Sequence, residues 1–240
     1  MRLSILLISV VVWSWSNLMT AQTTTENLHS GWNTLLKTYV DADGNVDYKN
    51  LKSCTPKIAA YLAKLENNAP NYTWSKNEKL AFYINLYNAA TVKLILDNYP
   101  IKSIKKISRP WDKKWIAVGD KTLSLGDIEH KVLRKMQEPR IHFVINCASY
   151  SCPKLKNEAF VSSQIENQLE EATRSFINDP KRNKIDSKEA KLSKIFNWFK
   201  KDFTTKGSVL DFITPYTSVK LTKQTDIDYV DYNWSLNEKK

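Results

Sequence analysis

Histidine and cysteine are scarce in this 240-residue chain: His29, His130 and His142, and Cys54, Cys147 and Cys152, are all it has. With three histidines spread far apart and no Cys-x-x-Cys spacing, there is no recognisable metal-ligand set. Three cysteines leave one unpaired, so a disulfide framework is not what makes the chain fold. After the N-terminus no apolar run approaches membrane-spanning length, which argues against stable membrane insertion. Internal repeats and long linkers are missing as well. Acidic residues are outnumbered, 25 to 36, giving a net charge of +11. The lysines are scattered (Lys52, Lys57, Lys102, Lys105, Lys106, Lys113, Lys114, Lys200, Lys201), and no nucleic-acid-binding motif surrounds them. They read as a solvated basic surface, with no nucleic-acid partner.

The first 21 residues have the pattern of a secretory signal peptide. Met1-Arg2 is a short positive start, Leu3 to Trp13 an apolar stretch, and Leu18 to Ala21 a cleavage site with Met19 at its −3 position. No cysteine follows for lipidation. The expected product is exported, periplasmic or secreted. With 42% hydrophobic residues and eleven tyrosines, the remainder has enough apolar material for an ordinary core.

Leu28 to Tyr39 repeats apolar residues at helical spacing, and Pro56 to Leu65 forms a modest helix. Between them Asp41, Asp43 and Asn45 imitate the opening of a calcium loop. Gly44 falls at loop position four and Lys52 replaces the closing glutamate, so Val40 to Val46 reads as a tight turn. The strongest helix signal follows. Ser75 and Glu78 make a capping box, and Leu80, Tyr83, Ile84, Tyr87, Thr91, Leu94 and Ile95 repeat until Tyr99-Pro100. Asn85 and Asn88 interrupt this apolar helix, and buried amides need partners: either they tie backbone or they line a pocket. Trp115–Val118 and Lys121–Leu125 flank a Gly119-Asp120 turn. Ser124 and Asp127 cap a helix that carries Glu129 and His130. Later helices are expected at Ile165–Phe176, Ile195–Phe199 and Val209–Ile213, with a closing strand at Ile227–Trp234. Helices outnumber strands, which suggests α+β.

The chemistry concentrates in Arg140 to Pro153. Ile141 to Cys147 reads as a buried strand, and the small polar stretch behind it as a loop entering a helix at Pro153. His142 is the best base. In a regular strand it and Cys147 point to opposite faces, unless a bulge near Asn146 intervenes. Cys152, beyond the turn, is free to fold back, and a helix starting at Pro153 lowers its thiol pKa. Position therefore favours Cys152 as nucleophile over Cys147. Glu129 is the choice to orient His142, with Asn146 the substitute. His130 is an alternative base or a packed helix residue. The competing reading pairs Cys147 with Cys152 in a disulfide, or buries Cys147 as a small core residue.

Several segments together resemble the family called DUF547. They are Leu80–Ala89 around Asn85 and Asn88, Leu123–His130, Arg140–Phe143, Asn146–Pro153 with its Cys-Ala-Ser-Tyr-Ser-Cys-Pro run, and Tyr232–Asn237. They occur in family order over most of the mature chain. Tyr232-Asn233-Trp234 departs from the more usual Tyr-Asp-Trp, at positions to which the sequence reading gives no chemistry. The resemblance implies a papain-like or transglutaminase-like α+β core with a small antiparallel sheet, N-terminal helices, and a Cys–His–acid constellation. The chain is divided accordingly into a signal peptide (1–21), an N-terminal helical segment packed on the core (22–70) and a DUF547-like domain (71–240).

The expected activity is a cysteine-dependent hydrolase or acyltransferase acting on an amide or ester of a peptide-like substrate, without a cofactor. Cys152 or Cys147 attacks, His142 shuttles the proton, Glu129 steers, and backbone N–H groups of Ser151 to Lys154 hold the oxyanion. Asn85, Asn88, His130, Asn146 and Ser151 are the substrate-binding candidates. The alternative is a non-catalytic module on the same fold, its cysteines structural, that binds a peptide or glycan.

Overall fold

A computed structural model describes residues 27–239, so the segment read as a signal peptide lies outside the described residues. Among the described residues no helix is long and apolar enough to cross a membrane.

The architecture is α+β. Helix α1 (Ser30–Tyr39) leads through a turn to the one-turn helix α2 (Tyr48–Leu51) and then to α3 (Thr55–Glu66). In the turn Val40 bridges Val46, Gly44 takes a positive φ of 79°, and the Asp41 carboxylate accepts from the Asp43 and Asn45 amides. The calcium-like residues thus serve an Asx turn.

The 22-residue helix α4 (Lys76–Asp97) starts at a complete capping box, Ser75 with Glu78. It is buried on most of its circumference rather than along one stripe, because Ala81, Ala89 and Ala90 let neighbours approach on the remaining faces. Trp32, Tyr48, Ile58 and Leu65 from the N-terminal helices share one apolar core with Leu80, Ile84 and Ile95 of α4. His29 belongs to this packing. It is 3% exposed and its Nδ1 lies 2.6 Å from the Tyr61 hydroxyl.

Strands β1 (Ile116–Val118) and β2 (Lys121–Leu123) form an antiparallel hairpin, with Gly119 at a φ of 57° in its turn. Beyond Ser124, whose hydroxyl and amide exchange hydrogen bonds with Asp127, the chain coils into a π-helical segment, Asp127–Val132, that tightens into a 3₁₀ turn at Leu133–Met136.

Helix α5 (Ile165–Ile177) precedes a second sheet ordered β3 (Lys184–Ile185), β4 (Glu189–Ser193), β5 (Asp226–Val230). This sheet is mixed where an antiparallel one was expected: β3 and β4 are antiparallel, but β4 and β5 run parallel. A parallel pair requires a crossover, here formed by the short helices α6 (Lys194–Trp198), α7 (Lys200–Phe203) and α8 (Val209–Ile213). The crossover builds a second, aromatic cluster from Phe143, Phe176, Phe196 and Phe203.

The C-terminal segment then returns across the molecule. Leu236 bridges Ser149, Glu238 bridges Val46, and the Tyr48 hydroxyl donates to the Asn237 side chain at 2.9 Å.

Candidate active site

The segment expected as a strand, Ile141 to Cys147, is not one. Pro139 opens a 3₁₀ helix, Pro139–Phe143, which places His142 on a helical turn, and the chain runs on irregularly. A buried extended segment needs a neighbouring strand for its polar backbone, and α4 supplies a substitute. Asn88 Nδ2 donates to the Val144 carbonyl at 2.9 Å, and Asn88 Oδ1 accepts from the Asn146 amide at 2.8 Å. Asn85 does the same one turn earlier, donating to the Phe160 carbonyl at 2.7 Å and accepting from its amide at 3.0 Å. The two asparagines, among the substrate-binding candidates, tie backbone and do not line the cavity described below.

Asn146 folds the next turn. Its side chain accepts from the Ala148 amide and donates to the Pro153 carbonyl, both at 2.7 Å. Ala148 takes a φ of 56°, and the loop closes with a Cys147–Cys152 disulfide whose Cα atoms are 6.2 Å apart. Cys54, buried near the Tyr39 hydroxyl, is the free cysteine. Outside the loop, Arg182 is 9% exposed and donates from Nε to the Cys152 carbonyl at 2.7 Å, while Asp179 pairs with its guanidinium. Ser151 is used by the C-terminal segment, its Oγ accepting from the Asn233 amide at 2.9 Å.

Two premises of the sequence reading fail here. Pro153 does not begin a helix, so no helix N-terminus activates Cys152. The Ser151 and Cys152 amides are engaged to the carbonyls of Asn233 and Ser149, and proline has no N–H, which takes three of the four expected positions out of the oxyanion site.

His142 is 2% exposed. Its ring lies against Phe199 with centroids 3.9 Å apart, and its Nε2 is 2.8 Å from Oδ2 of Asp202. Asp202 is in turn gripped by Arg134, from Nε at 2.6 Å and Nη2 at 2.8 Å. The residue that orients His142 is therefore Asp202 and not Glu129 or Asn146. Glu129 faces the Tyr87 hydroxyl at 3.4 Å instead, because the π-helical segment turns it toward α4. Burial raises the Glu129 carboxyl from 4.5 to about 7. Burial lowers His142, opposed by the Asp202 hydrogen bond. Burial works against ionised Asp202, but Arg134 and His142 hold its carboxyl well below the usual range. His130 is exposed at its edge, with Nδ1 3.3 Å from Nη1 of Arg134, and burial also lowers its pKa.

His142, Glu129 and His130 meet the two sulfurs in one cavity of about 220 Å³. Cys147, Cys152, His142, Glu129 and His130 line it, walled by Tyr87, Trp111, Trp198, Phe199, Tyr232 and Trp234. Clefts of about 280 and 480 Å³ lie elsewhere, and neither is lined by a cysteine. At the sulfurs, the Tyr232 hydroxyl sits 3.3 Å from Cys147 Sγ and donates to Cys152 Sγ at 3.2 Å, and Ser149 Oγ is 3.2 Å from Cys147 Sγ. Tyr232, in the motif to which no chemistry was given, thus touches both sulfurs.

Asp202, Arg134, Phe199, Arg182 and Tyr232 were missed from sequence. Tyr232 carried a signal, as the first residue of a family segment, and Asp202 a fainter one, as a single acid just past an aromatic helical stretch.

The family described as "Protein of unknown function, DUF547" matches residues 72–177. No curated protein and no solved structure matches the chain. The matched segment contains Glu129, His142 and both site cysteines, while Phe199, Asp202 and Tyr232 come from beyond it. The central segment of this chain, from Tyr72 through Ile177, is thus similar to the DUF547 family.

Proposed function

We propose that the protein is an exported cysteine-dependent hydrolase or acyltransferase acting on an amide or ester, competent when Cys147 and Cys152 are reduced. One observation carries the reading: a buried imidazole, fixed through Nε2 by the Asp202 carboxylate, shares a cavity with two sulfurs. With Nε2–H donated to Asp202, Nδ1 is left as the basic nitrogen. It takes the thiol proton as the sulfur attacks the carbonyl carbon, then returns it to the departing amine or alcohol.

Cys147 is the nucleophile in this reading, since it is partly exposed while Cys152 is 3% exposed. With the Ser151 and Cys152 amides engaged, the Tyr232 hydroxyl beside Cys147 is the donor we assign to the developing oxyanion. The aromatic walls select an acyl group with an apolar flank, as on a peptide side chain.

The test is iodoacetamide labelling of the reduced native protein across pH 5 to 9, with the site read by mass spectrometry. Fast labelling of Cys147 near pH 6, slowed by His142→Ala and by Asp202→Asn, supports an activated thiolate and starts an ester and amide screen. A second reading, a peptide- or glycan-binding module, is favoured by the disulfide itself. Labelling no faster than in the urea-unfolded chain, and indifferent to both substitutions, decides for that module.

A further inference from the structure

The sequence-stapled loop could have hidden its disulfide in the core, where a bond that only reinforces the fold is best protected. It lines a cavity instead, with Cys152 buried and Cys147 partly exposed. Two hydrogen-bond donors converge on Cys152 Sγ. The Cys147 amide lies 2.9 Å from that sulfur and the Tyr232 hydroxyl 3.2 Å. Ser149 Oγ and the Tyr232 hydroxyl also lie 3.2 and 3.3 Å from Cys147 Sγ, but Ser149 donates to the Tyr232 hydroxyl at 2.9 Å and Tyr232 donates to Cys152 Sγ, so the backbone and tyrosine protons both fall on Cys152. Donors so placed stabilise the thiolate that forms when the bond breaks, and a better leaving thiolate leaves faster.

We infer that this cavity is a thiol–disulfide exchange site: a low-molecular-weight thiol attacks Cys147 Sγ, and Cys152 Sγ departs as the thiolate. The bond formed is a mixed disulfide between the incoming sulfur and Cys147. The bond broken is Cys147–Cys152, whose electron pair stays on Cys152 Sγ. That sulfur then takes up the proton given up by the attacking thiol. A second thiol attacks the incoming sulfur of the mixed disulfide and releases Cys147 as a thiol. In balance, two thiols are oxidised to one disulfide and the protein disulfide is reduced to two thiols. Exchange needs no acyl chemistry, so it stands independently of the hydrolase reading. If both hold, exchange is the step that frees the nucleophile.

The cavity fits this role in size and lining. About 220 Å³ has room for a cysteinyl side chain, and the ring of Tyr232 packs against Trp198 and Trp234, at centroid distances of 4.8 and 4.6 Å. Arg182, bonded to the Cys152 carbonyl, fixes the backbone of the leaving cysteine from the other side.

The oxidised full-length protein is treated with glutathione at neutral pH, and reduction is followed by intact mass, native and in urea. The expected result is native reduction within about tenfold of the unfolded rate, slowed about tenfold by Tyr232→Phe, which keeps the ring and removes the donor. The direction of attack is read separately. Glutathione disulfide offered to Cys152→Ser forms a stable mixed disulfide on Cys147, whereas Cys147→Ser, left with the buried sulfur, reacts far more slowly. Resistance to reduction until the chain unfolds overturns the proposal, as does preferential capture by Cys152 or recovery of the native protein with both thiols free under air. A Tyr232→Phe protein reduced at the wild-type rate removes the role assigned to the hydroxyl. Acyl-transfer assays run on protein already reduced by a phosphine keep the two readings apart, since they are blind to exchange.

Discussion

Asp202 and Arg134 show how one buried imidazole comes to be held. The guanidinium fork satisfies both carboxylate oxygens, and Oδ2 remains within reach of His142 Nε2. In Asp202→Asn the carboxylate that opposes desolvation is gone, so the His142 pKa falls further below its ordinary value; imidazole proton shifts in an NMR titration report it. Asp202 and Glu129 act on stability in opposite pH windows. The depressed carboxyl of Asp202 stabilises the fold above its ordinary 3.8, and that contribution is lost as pH falls through its folded-state value. Glu129, raised from 4.5 to about 7, keeps its proton in the fold but gives it up in the unfolded chain, so it costs stability progressively as pH rises through that interval. Glu129→Gln is expected to gain on the order of 3 kcal/mol between about pH 4 and pH 8 relative to wild type, measured by urea unfolding at both.

At the scale of elements, α4 is both core and scaffold. Replacing Asn88 by Ala strands the Val144 carbonyl and the Asn146 amide in a dry interior, at an expected cost of about 2–4 kcal/mol in urea unfolding. Asn85→Ala is expected to cost a similar amount by freeing Phe160, while leaving cysteine labelling rates unchanged, since neither Asn85 nor Phe160 lines the cysteine cavity. The α4 capping box, the hairpin around Gly119 and the turn at Gly44 were legible in the sequence because each is set by residues a few positions apart. Ile141–Cys147 was misread because a run of apolar residues says only that a segment is buried. Whether it is strand or irregular depends on what satisfies its backbone, and here that is a side chain 56 residues upstream.

Over the whole molecule, the cavity lies where two apolar clusters meet. Tyr87 and Ile145 belong to the α4 side, and Ile195 and Phe199 to the crossover between β4 and β5. The C-terminal segment closes it, carrying Tyr232 and Trp234 and pairing with the cysteine loop and the Val40–Val46 turn. Deleting residues 231–240 therefore removes a wall of the site and the Leu236 bridge together. The expected outcome, against the reduced full chain, is faster alkylation of the buried Cys152 and protease cleavage within the Cys147–Cys152 loop. Because Trp32 and Ile58 share their core with Ile84 and Ile95, residues 27–70 are expected to unfold with the rest in one transition, with tryptophan fluorescence and far-ultraviolet circular dichroism coinciding.

The amino-acid sequence by itself determined the longer helices, the caps and tight turns, the α+β class and the short list of groups able to do thiol chemistry, since propensity, periodicity and residue type are local properties. Tertiary structure alone decided which acid faces His142, that the two sulfurs are joined, and that Tyr232 stands over both. Asp202 lies 60 residues beyond its imidazole and Tyr232 is 80 residues beyond Cys152. Contacts across such distances are made by the crossover of a parallel strand pair and by a returning C-terminus. Neither leaves a period or a spacing in the chain, because packing of the two clusters, and not local preference, brings those side chains together.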